Sequence, residues 1–402
     1  MRKTIIIFAG TVLLFLVACT NVNNDSEIVG EDAKFMAEIE EAWEYIHNLM
    51  AESGEVDLVV NEEISEIIDT LEPIIYLIDQ RNTGFNGFSL LDLTTGEYVA
   101  SYEFDENDTF ISDDFFDLGD GFYALPFWDV NWENPRIIIF DERLEVIETI
   151  FYDDEVISFL PIGFIKLIDG ELIAYGMDLR DAAPSSILNP IKYNFHTGEI
   201  KILAEIDESI STMHQFVGED RIFITDFHAN FNTGEMMSRY GILDLTTGLI
   251  HFFEREDFRY SHFDFRDTQV LISESSSVGP DLKNQVVVFD AESMSSQIIQ
   301  LEEEESVWAR FSYSGDEIVT INEVASIFRK HDFNGMIISE LEIEIPTINA
   351  PETFADEESS VTVNWFEIFP ISENVYLIYT RVIFAYGALL LEEHHIQFVT
   401  LP

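Results

Sequence analysis

Five residues, Asp92-Leu93-Thr94-Thr95-Gly96, recur letter for letter as Asp244-Leu245-Thr246-Thr247-Gly248, each with an apolar run before it and another after it. Nothing else in the chain constrains its fold as much. An Asp carboxylate opens a turn by accepting from nearby backbone N–H groups, and Gly takes the φ > 0 position that other residues avoid. The unit is therefore a hairpin. Degenerate copies stand at Asp141-Glu142-Arg143, Asn194-Phe195-His196-Thr197-Gly198, Asp290-Ala291-Glu292-Ser293 and Asp332-Phe333-Asn334-Gly335. The turn openings at 92, 141, 194, 244, 290 and 332 lie 49, 53, 50, 46 and 42 residues apart. Periods of that size belong to four-stranded propeller blades.

From Gly54 onward the chain is short runs of Ile, Val, Phe and Tyr broken by turn residues, an all-β pattern. The sixth repeat divides into strands a to d at Trp308–Ser312, Glu317–Ile321, Ser326–Asp332 and Met336–Ile343. Between a and b, Phe311-Ser312-Tyr313-Ser314-Gly315-Asp316 resembles the Ser-Pro-Asp-Gly turn of TolB-like and prolyl-oligopeptidase-type propellers, with Tyr313 in place of Pro and Gly and Asp exchanged. Six turns give six blades, but the ends argue for seven. Val361–Phe369, Asn374–Thr380 and Ile396–Leu401 read as a, b and c with no d, and Glu55–Val60 lies ahead of the first blade, whose own a strand is expected at Ile64–Ile68 and b at Ile74–Asp79. Pairing that early strand with the last one closes the ring and removes two exposed edges. The expected fold is thus an all-β propeller over 55–402, seven blades preferred over six, closed by an N-terminal strand.

The chain opens with Met1-Arg2-Lys3 and an apolar run to Ala18, too short to span a membrane comfortably and therefore read as a secretory leader over 1–18. Leu16-Val17-Ala18-Cys19 resembles a bacterial lipobox, which implies cleavage before Cys19 and attachment of lipid to its thiol. Cys19 is the sole cysteine, so it has no disulfide partner within the chain. The resemblance implies a protein anchored to the cell membrane on its extracytoplasmic side; a plain leader with an incidental Cys is the alternative. Residues 19–30 read as a tether. Over 31–53, Met36, Ile39, Trp43, Ile46 and Met50 form one stripe of an amphipathic helix. That helix either packs on the propeller or meets a partner beside the membrane.

Twenty Lys and Arg stand against 77 Asp and Glu, a net charge of −57. Such a charge repels nucleic acid, so a nucleic-acid partner is not expected. Yet 47% of the residues are apolar and 34 are Phe, enough for a core, which sets disorder aside. Adaptation to a salty or alkaline medium explains the acidity more simply than cation binding. No cofactor is read. The stretch Asp113 to Gly121 invites a calcium reading, but Phe115 and Leu118 fall where an EF-hand needs an oxygen ligand and Gly, leaving only a nonstandard calcium site. The nine scattered His read as strand and turn residues rather than metal ligands.

Propeller ligands bind where b–c and d–a connections gather, because those loops vary without disturbing the sheets. The long b–c connections are expected at Gln80–Gly87, Trp128–Pro135, Leu179–Pro190, Ala229–Arg239, Ser273–Asn284 and Arg381–His394. Arg81, Arg136, Arg180, Arg239, Lys283 and Arg381 fall in or beside them, and so form a candidate anion-selecting funnel; the plainer reading is that each cation pairs with a nearby carboxylate. Trp128 and Trp132 offer indoles for stacking on a sugar or peptide, or else a lid on the core. No His-Glu-x-x-His, Gly-x-Ser-x-Gly or glycine-rich phosphate loop occurs. Sequence therefore favours a monomeric binding module for a protein or a small anionic or sugar ligand, with a hydrolase or lyase acting on extracellular polysaccharide or peptide as the alternative. A buried acid, His and Arg gathered at the channel mouth would favour the enzyme; an open aromatic and basic rim would favour binding.

Overall fold

The computed structural model describes residues 56–59, 65–68 and 70–401, with breaks at 80–86, 105–107, 111–115, 120, 130–135, 152–158, 169–170, 179–187, 195–196, 198, 205–211, 231–234, 254–257, 277–283, 302–306, 323–324, 347–360 and 387–388. The leader, Cys19, the tether and the helix expected over 31–53 lie outside the described residues, as do Asp113 and Asp114 of the acidic stretch.

A short strand, β1 (Val56–Val59), precedes one helical turn, α1 (Ser65–Ile68). Blade one is β2 (Ile75–Asp79), β3 (Gly87–Asp92) and β4 (Glu97–Glu103). Blade two is β5 (Asp108–Phe110) and β6 (Phe116–Gly119), both on β7 (Phe122–Asp129), then β8 (Arg136–Phe140) and β9 (Val146–Phe151). Blade three runs β10 (Phe159–Ile168), β11 (Glu171–Asp178), β12 (Leu188–Asn194), β13 (Ile200–Ile202). Blade four runs β14 (Thr212–Phe216), β15 (Arg221–Asn230), β16 (Glu235–Asp244), β17 (Ile250–Phe253). Blade five runs β18 (Phe258–Arg266), β19 (Gln269–Ser276), β20 (Asn284–Asp290), β21 (Ser295–Gln300). Blade six runs β22 (Val307–Phe311), β23 (Ile318–Asn322), β24 (Ile327–His331), β25 (Ile337–Glu342). The last sheet has the order β26 (Val361–Pro370), β27 (Val375–Tyr386), β28 (Leu389–Thr400), β1. Seven sheets of this kind in chain order are a seven-bladed β-propeller.

Each repeated turn closes as its chemistry requires. Asp92 Oδ1 accepts from Thr94 N (2.8 Å), Asp244 Oδ1 from Thr247 N (2.8 Å) and Asp290 Oδ1 from Ser293 N (2.7 Å). Asp141, Asn194 and Asp332 do the same at Arg143, Thr197 and Asn334. Gly96 and Gly248 both sit at φ 72°, whereas the turns without glycine put Leu144 (56°) and Met294 (53°) into the left-handed region. After three of the openings the next residue bonds back across its blade, Leu93 N to Ile74 O, Leu245 N to Asp220 O and Ala291 N to Thr268 O. Leu401 N makes the matching bond to Asn374 O (2.8 Å), so the seventh blade ends its third strand like those three.

Two compact units result. The first holds Met1–Glu103, Ile345–Phe369 and Leu377–Val399, and in it β1 lies parallel to β28, Val56 opposite His394 and Val59 opposite Gln397. This is the closing strand expected over Glu55–Val60. The second holds Phe104–Glu344, Pro370–Tyr376 and Thr400–Pro402. Its core lies between successive blades because alternate residues of one strand face opposite neighbours. In β19, Val270 and Ile272 pack with Phe223 and Ile242 of blade four, while Leu271 packs with Ala309, Phe311 and Ile318 of blade six.

Three expectations need correction, the first being that Ala229–Arg239, expected as a long connection, is ladder up to Asn230 and again from Glu235. The strand placed at Ile64–Ile68 is a helical turn, closed by Thr70 Oγ1 and Thr70 N donating to Ile67 O, so blade one shows three strands among the described residues. Arg381–His394 is not a loop. β27 and β28 run to twelve residues each: Val382-Ile383-Phe384 are β-branched and aromatic residues that favour the ladder, and Leu389-Leu390-Leu391 begin the return strand.

Candidate functional site

The b–c ends of blades four to six carry a buried polar layer that the hydrophobic pattern does not call for. Asp226, Glu274 and Asn322 stand in matching register positions of β15, β19 and β23, each no more than 4% exposed. Asp226 faces Arg239 across the ladder and accepts from its Nε at 3.0 Å and from Nη2 at 2.5 Å. The Arg239 guanidinium also lies 4.0 Å from the centre of the Phe252 ring. Glu274 faces Gln285, whose Nε2 donates to it at 2.6 Å, and the Tyr240 hydroxyl of blade four donates to its other oxygen. Asn322 Oδ1 accepts from Ala325 N at 2.9 Å. Buried polar groups are costly unless satisfied, and here each side chain is matched by a donor from its own turn or a neighbouring strand.

The first strands of these blades add the inner part of the layer. Thr212, His262 and Trp308 lie opposite Thr225, Ser273 and Ile321, the residues preceding Asp226, Glu274 and Asn322. The His262 and Trp308 rings are 5.5 Å apart, although β18 and β22 are not paired in a sheet. Further along, Asp264 accepts from Arg310 Nη1 (2.8 Å) and Phe311 N (2.7 Å), and Arg266 Nη1 donates to Ser312 O (3.0 Å) and Tyr313 O (3.2 Å). The turn resembling that of TolB-like propellers is thus a seat for Arg266. Gly315, at φ 81°, leaves room for the guanidinium, which a Cβ there would meet at 2.0 Å. Bulges at Met213/Gln215 and Tyr260/His262 re-aim the side chains at this end.

Burial, aided by the Arg310 charge, lowers the His262 pKa to about 3, so the ring is neutral at neutral pH. It makes no hydrogen bond to another described residue. His214 is likewise lowered to about 4 by burial, but its Nε2 is 2.8 Å from Thr225 Oγ1.

Within the first unit, β27 and β28 hold a second cluster. Glu392, fully buried, accepts from Arg381 Nε (2.6 Å) and Nη2 (2.9 Å). His394 Nε2 is 3.5 Å from Glu392 Oε1, and its Nδ1 is 2.8 Å from the Tyr379 hydroxyl. Burial, then Arg381 and His395, hold the His394 pKa down to about 3, and burial raises that of Tyr379 well above its ordinary value. Nε2 makes no hydrogen bond to another described residue, and Nδ1 carries the bond to Tyr379. Here an acid, a His and an Arg do come together.

Of the residues singled out from sequence, Arg239 and Arg381 each hold a buried carboxylate. Arg136 opens β8, half-buried, opposite Phe127 and Phe151. Trp128 falls within β7. Arg81, Arg180, Lys283 and Trp132 lie outside the described residues. Sequence reasoning took His262 for an ordinary strand or turn residue and did not single out Asp264, Trp308 or Arg310 as site residues. Their signal was the alternation of His262-Asp264-Arg266 with Phe263-Phe265, and of Trp308-Arg310 with Ala309-Phe311. Among the described residues no three His, Cys, Asp or Glu gather to hold a metal ion, and no helix is long and apolar enough to cross a membrane.

No protein family and no curated protein matches the chain. Among solved structures, it is similar to KlHsv2 with loop 6CD replaced by a Gly-Ser linker, at 10% identity over 79% of this chain and 92% of that one (TM-score 0.40). It is similar to TolB from Acinetobacter baumannii at 15% identity, over 62% of this chain and 54% of that one (TM-score 0.35). It is also similar to the Pyrococcus horikoshii acylaminoacyl peptidase, at 11% identity over 72% of this chain and 46% of that one (TM-score 0.41).

Proposed function

We propose that this chain is a lipid-anchored, extracytoplasmic β-propeller that binds a ligand or protein partner on the face where its b–c connections emerge. The observation that carries the reading is the polar layer of blades four to six. Asp226, Glu274 and Asn322 are fixed by partners of their own, so the layer they form is in place before anything binds and loses little freedom on binding. His262 and Trp308 stand at its inner end. Leu16-Val17-Ala18-Cys19 supports the anchor, and the charge of −57 supports exclusion of nucleic acid.

A melting-temperature screen of the full chain in detergent, against saccharides, peptides, phosphates and calcium, tests the binding role, since binding to the native state alone raises the midpoint. A shift that Trp308→Ala abolishes is the expected result; shifts indifferent to that change place the function elsewhere. Cys19→Ala should move the protein from the membrane to the soluble fraction.

Tyr379, Arg381, Glu392 and His394 favour a second reading, a hydrolase or lyase. Glu392 and His394 are both at 0% exposure, so a substrate would reach them only if the β27–β28 hairpin opened. Turnover of a polysaccharide or peptide lost in Glu392→Gln, with folding retained, would establish it.

A further inference from the structure

We infer that the ligand taken at the first-strand seam of blades five and six is an uncharged carbohydrate. This rests on the binding reading above and names its substrate class. Four groups define the seam: His262, Asp264, Trp308 and Arg310. Asp264 and Arg310 cancel each other at 2.8 Å, and Asp264 is held further by Phe311 N. The adjoining Arg239 is matched by Asp226 in the same way. Arg266 is turned onto the Ser312 and Tyr313 carbonyls. These three arginines are thus committed, in a chain whose net charge of −57 repels anions at long range.

What the seam offers instead is neutral. The His262 ring, half-buried against the Trp308 indole, has one N–H and one lone pair and makes no hydrogen bond to another described residue. A ligand lying against this ring has both atoms to match. A carboxylate or phosphate accepts only and satisfies the N–H alone. A sugar hydroxyl donates and accepts, and so satisfies both nitrogens. The indole face beside them suits the C–H face of a pyranose, which buries apolar surface there without bringing charge. Asn322, in the matching place of blade six, keeps that end of the layer uncharged where Asp226 and Glu274 are acids.

The test is calorimetric titration of the full chain in detergent with neutral oligosaccharides of glucose, N-acetylglucosamine, xylose and mannose, and with oligogalacturonate, at low and high salt. We expect a neutral oligosaccharide to bind with an affinity that salt leaves unchanged. His262→Ala and Trp308→Ala should each weaken it about tenfold. His262→Gln, which keeps one donor and one acceptor, should restore most of the loss and guards against misfolding of the alanine variants. Tighter binding of oligogalacturonate, fading in high salt and lost in Trp308→Ala, would overturn the neutral class while leaving the binding face in place. Saccharide binding indifferent to both positions would overturn the face itself. Failure of every saccharide to bind would overturn the carbohydrate inference, and a melting shift with another class that Trp308→Ala removes would show that the binding reading survives it.

Discussion

Two hairpins carry the same ion pair in opposite sense. In β15–β16 the carboxylate, Asp226, leads and Arg239 answers from the return strand; in β27–β28 Arg381 leads and Glu392 returns. Both bury the acid and leave the guanidinium partly in water, with side-chain exposures of 2% against 24% and 0% against 28%. What lies beyond the acid differs. In β15–β16 the guanidinium lies over the Phe252 ring, whereas in β27–β28 His394 stands 3.5 Å from the acid and meets Tyr379, both fully buried. A cross-strand Arg–carboxylate pair fixes register in either setting. A chain of titratable groups behind it makes the same pair answer to pH.

Removing each acid in turn breaks the comparison most directly. Glu392→Gln takes away the charge that Arg381 holds and the carboxylate beside His394, and should cost about 3–4 kcal/mol, at the lower part of the range for breaking a buried pair because the guanidinium is partly hydrated. Asp226→Asn, whose Arg239 partner also lies over the Phe252 ring, should cost about 2 kcal/mol on the same grounds. Denaturant midpoints measure both. Equal losses would mean that the His394–Tyr379 extension contributes nothing.

Acid sharpens the contrast. The His394 pKa is about 3 in the folded chain against about 6.5 unfolded, so its contribution to stability is whole above about pH 6.5 and drains as the pH falls toward 3. At pH 4.5 the loss from this one ring is about 2–3 kcal/mol. Facing it are Tyr379, Arg381 and Glu392, with His395 beside it on β28. Chemical unfolding at neutral and acid pH should show His394→Gln flattening part of the acid limb. Part of the remainder should come from His214 and His262, lowered to about 4 and about 3, and at lower pH from Asp244, Asp290 and Asp332, whose turn hydrogen bonds hold their carboxyls below the usual range; all have the same sign.

Smaller effects test the outer side of β15–β16. A Cβ at Gly241 would stand 2.5 Å from His251 O of β17, so Gly241→Ala should cost about 2 kcal/mol as that strand gives way. Gly248→Ala, at φ 72°, should cost about 1 kcal/mol. Met294→Gly should be close to neutral, because relief of the left-handed strain is offset by unfolded-state entropy. Thermal midpoints distinguish the three. A stable Gly241→Ala would mean that β17 is not needed to hold the hairpin.

Blade six was readable almost residue by residue: the expected strands at Trp308–Ser312, Glu317–Ile321, Ser326–Asp332 and Met336–Ile343 become β22 to β25 with ends shifted by one residue or so. The closing strand was readable too, because a blade lacking its fourth strand and an orphan run before the first blade require one another. The β27–β28 hairpin was not. Arg381 and Glu392 interrupt its apolar pattern, and their polarity suggests a loop until the two are seen to cancel across the ladder. The His262–Trp308 contact was equally hidden, since it joins residues 46 positions apart on strands that share no sheet.

Sequence alone determined the turns, their period and hence the blades, because an Asp or Asn side chain reaching backbone N–H groups two to four residues on is a local interaction and needs nothing from the rest of the chain. Tertiary structure decided which carboxylate each arginine meets, that His262 and His394 are neutral, and which end of blades four to six carries the polar layer. Those outcomes depend on burial and on strand register, and both are set by neighbours that only the assembled blades bring within reach.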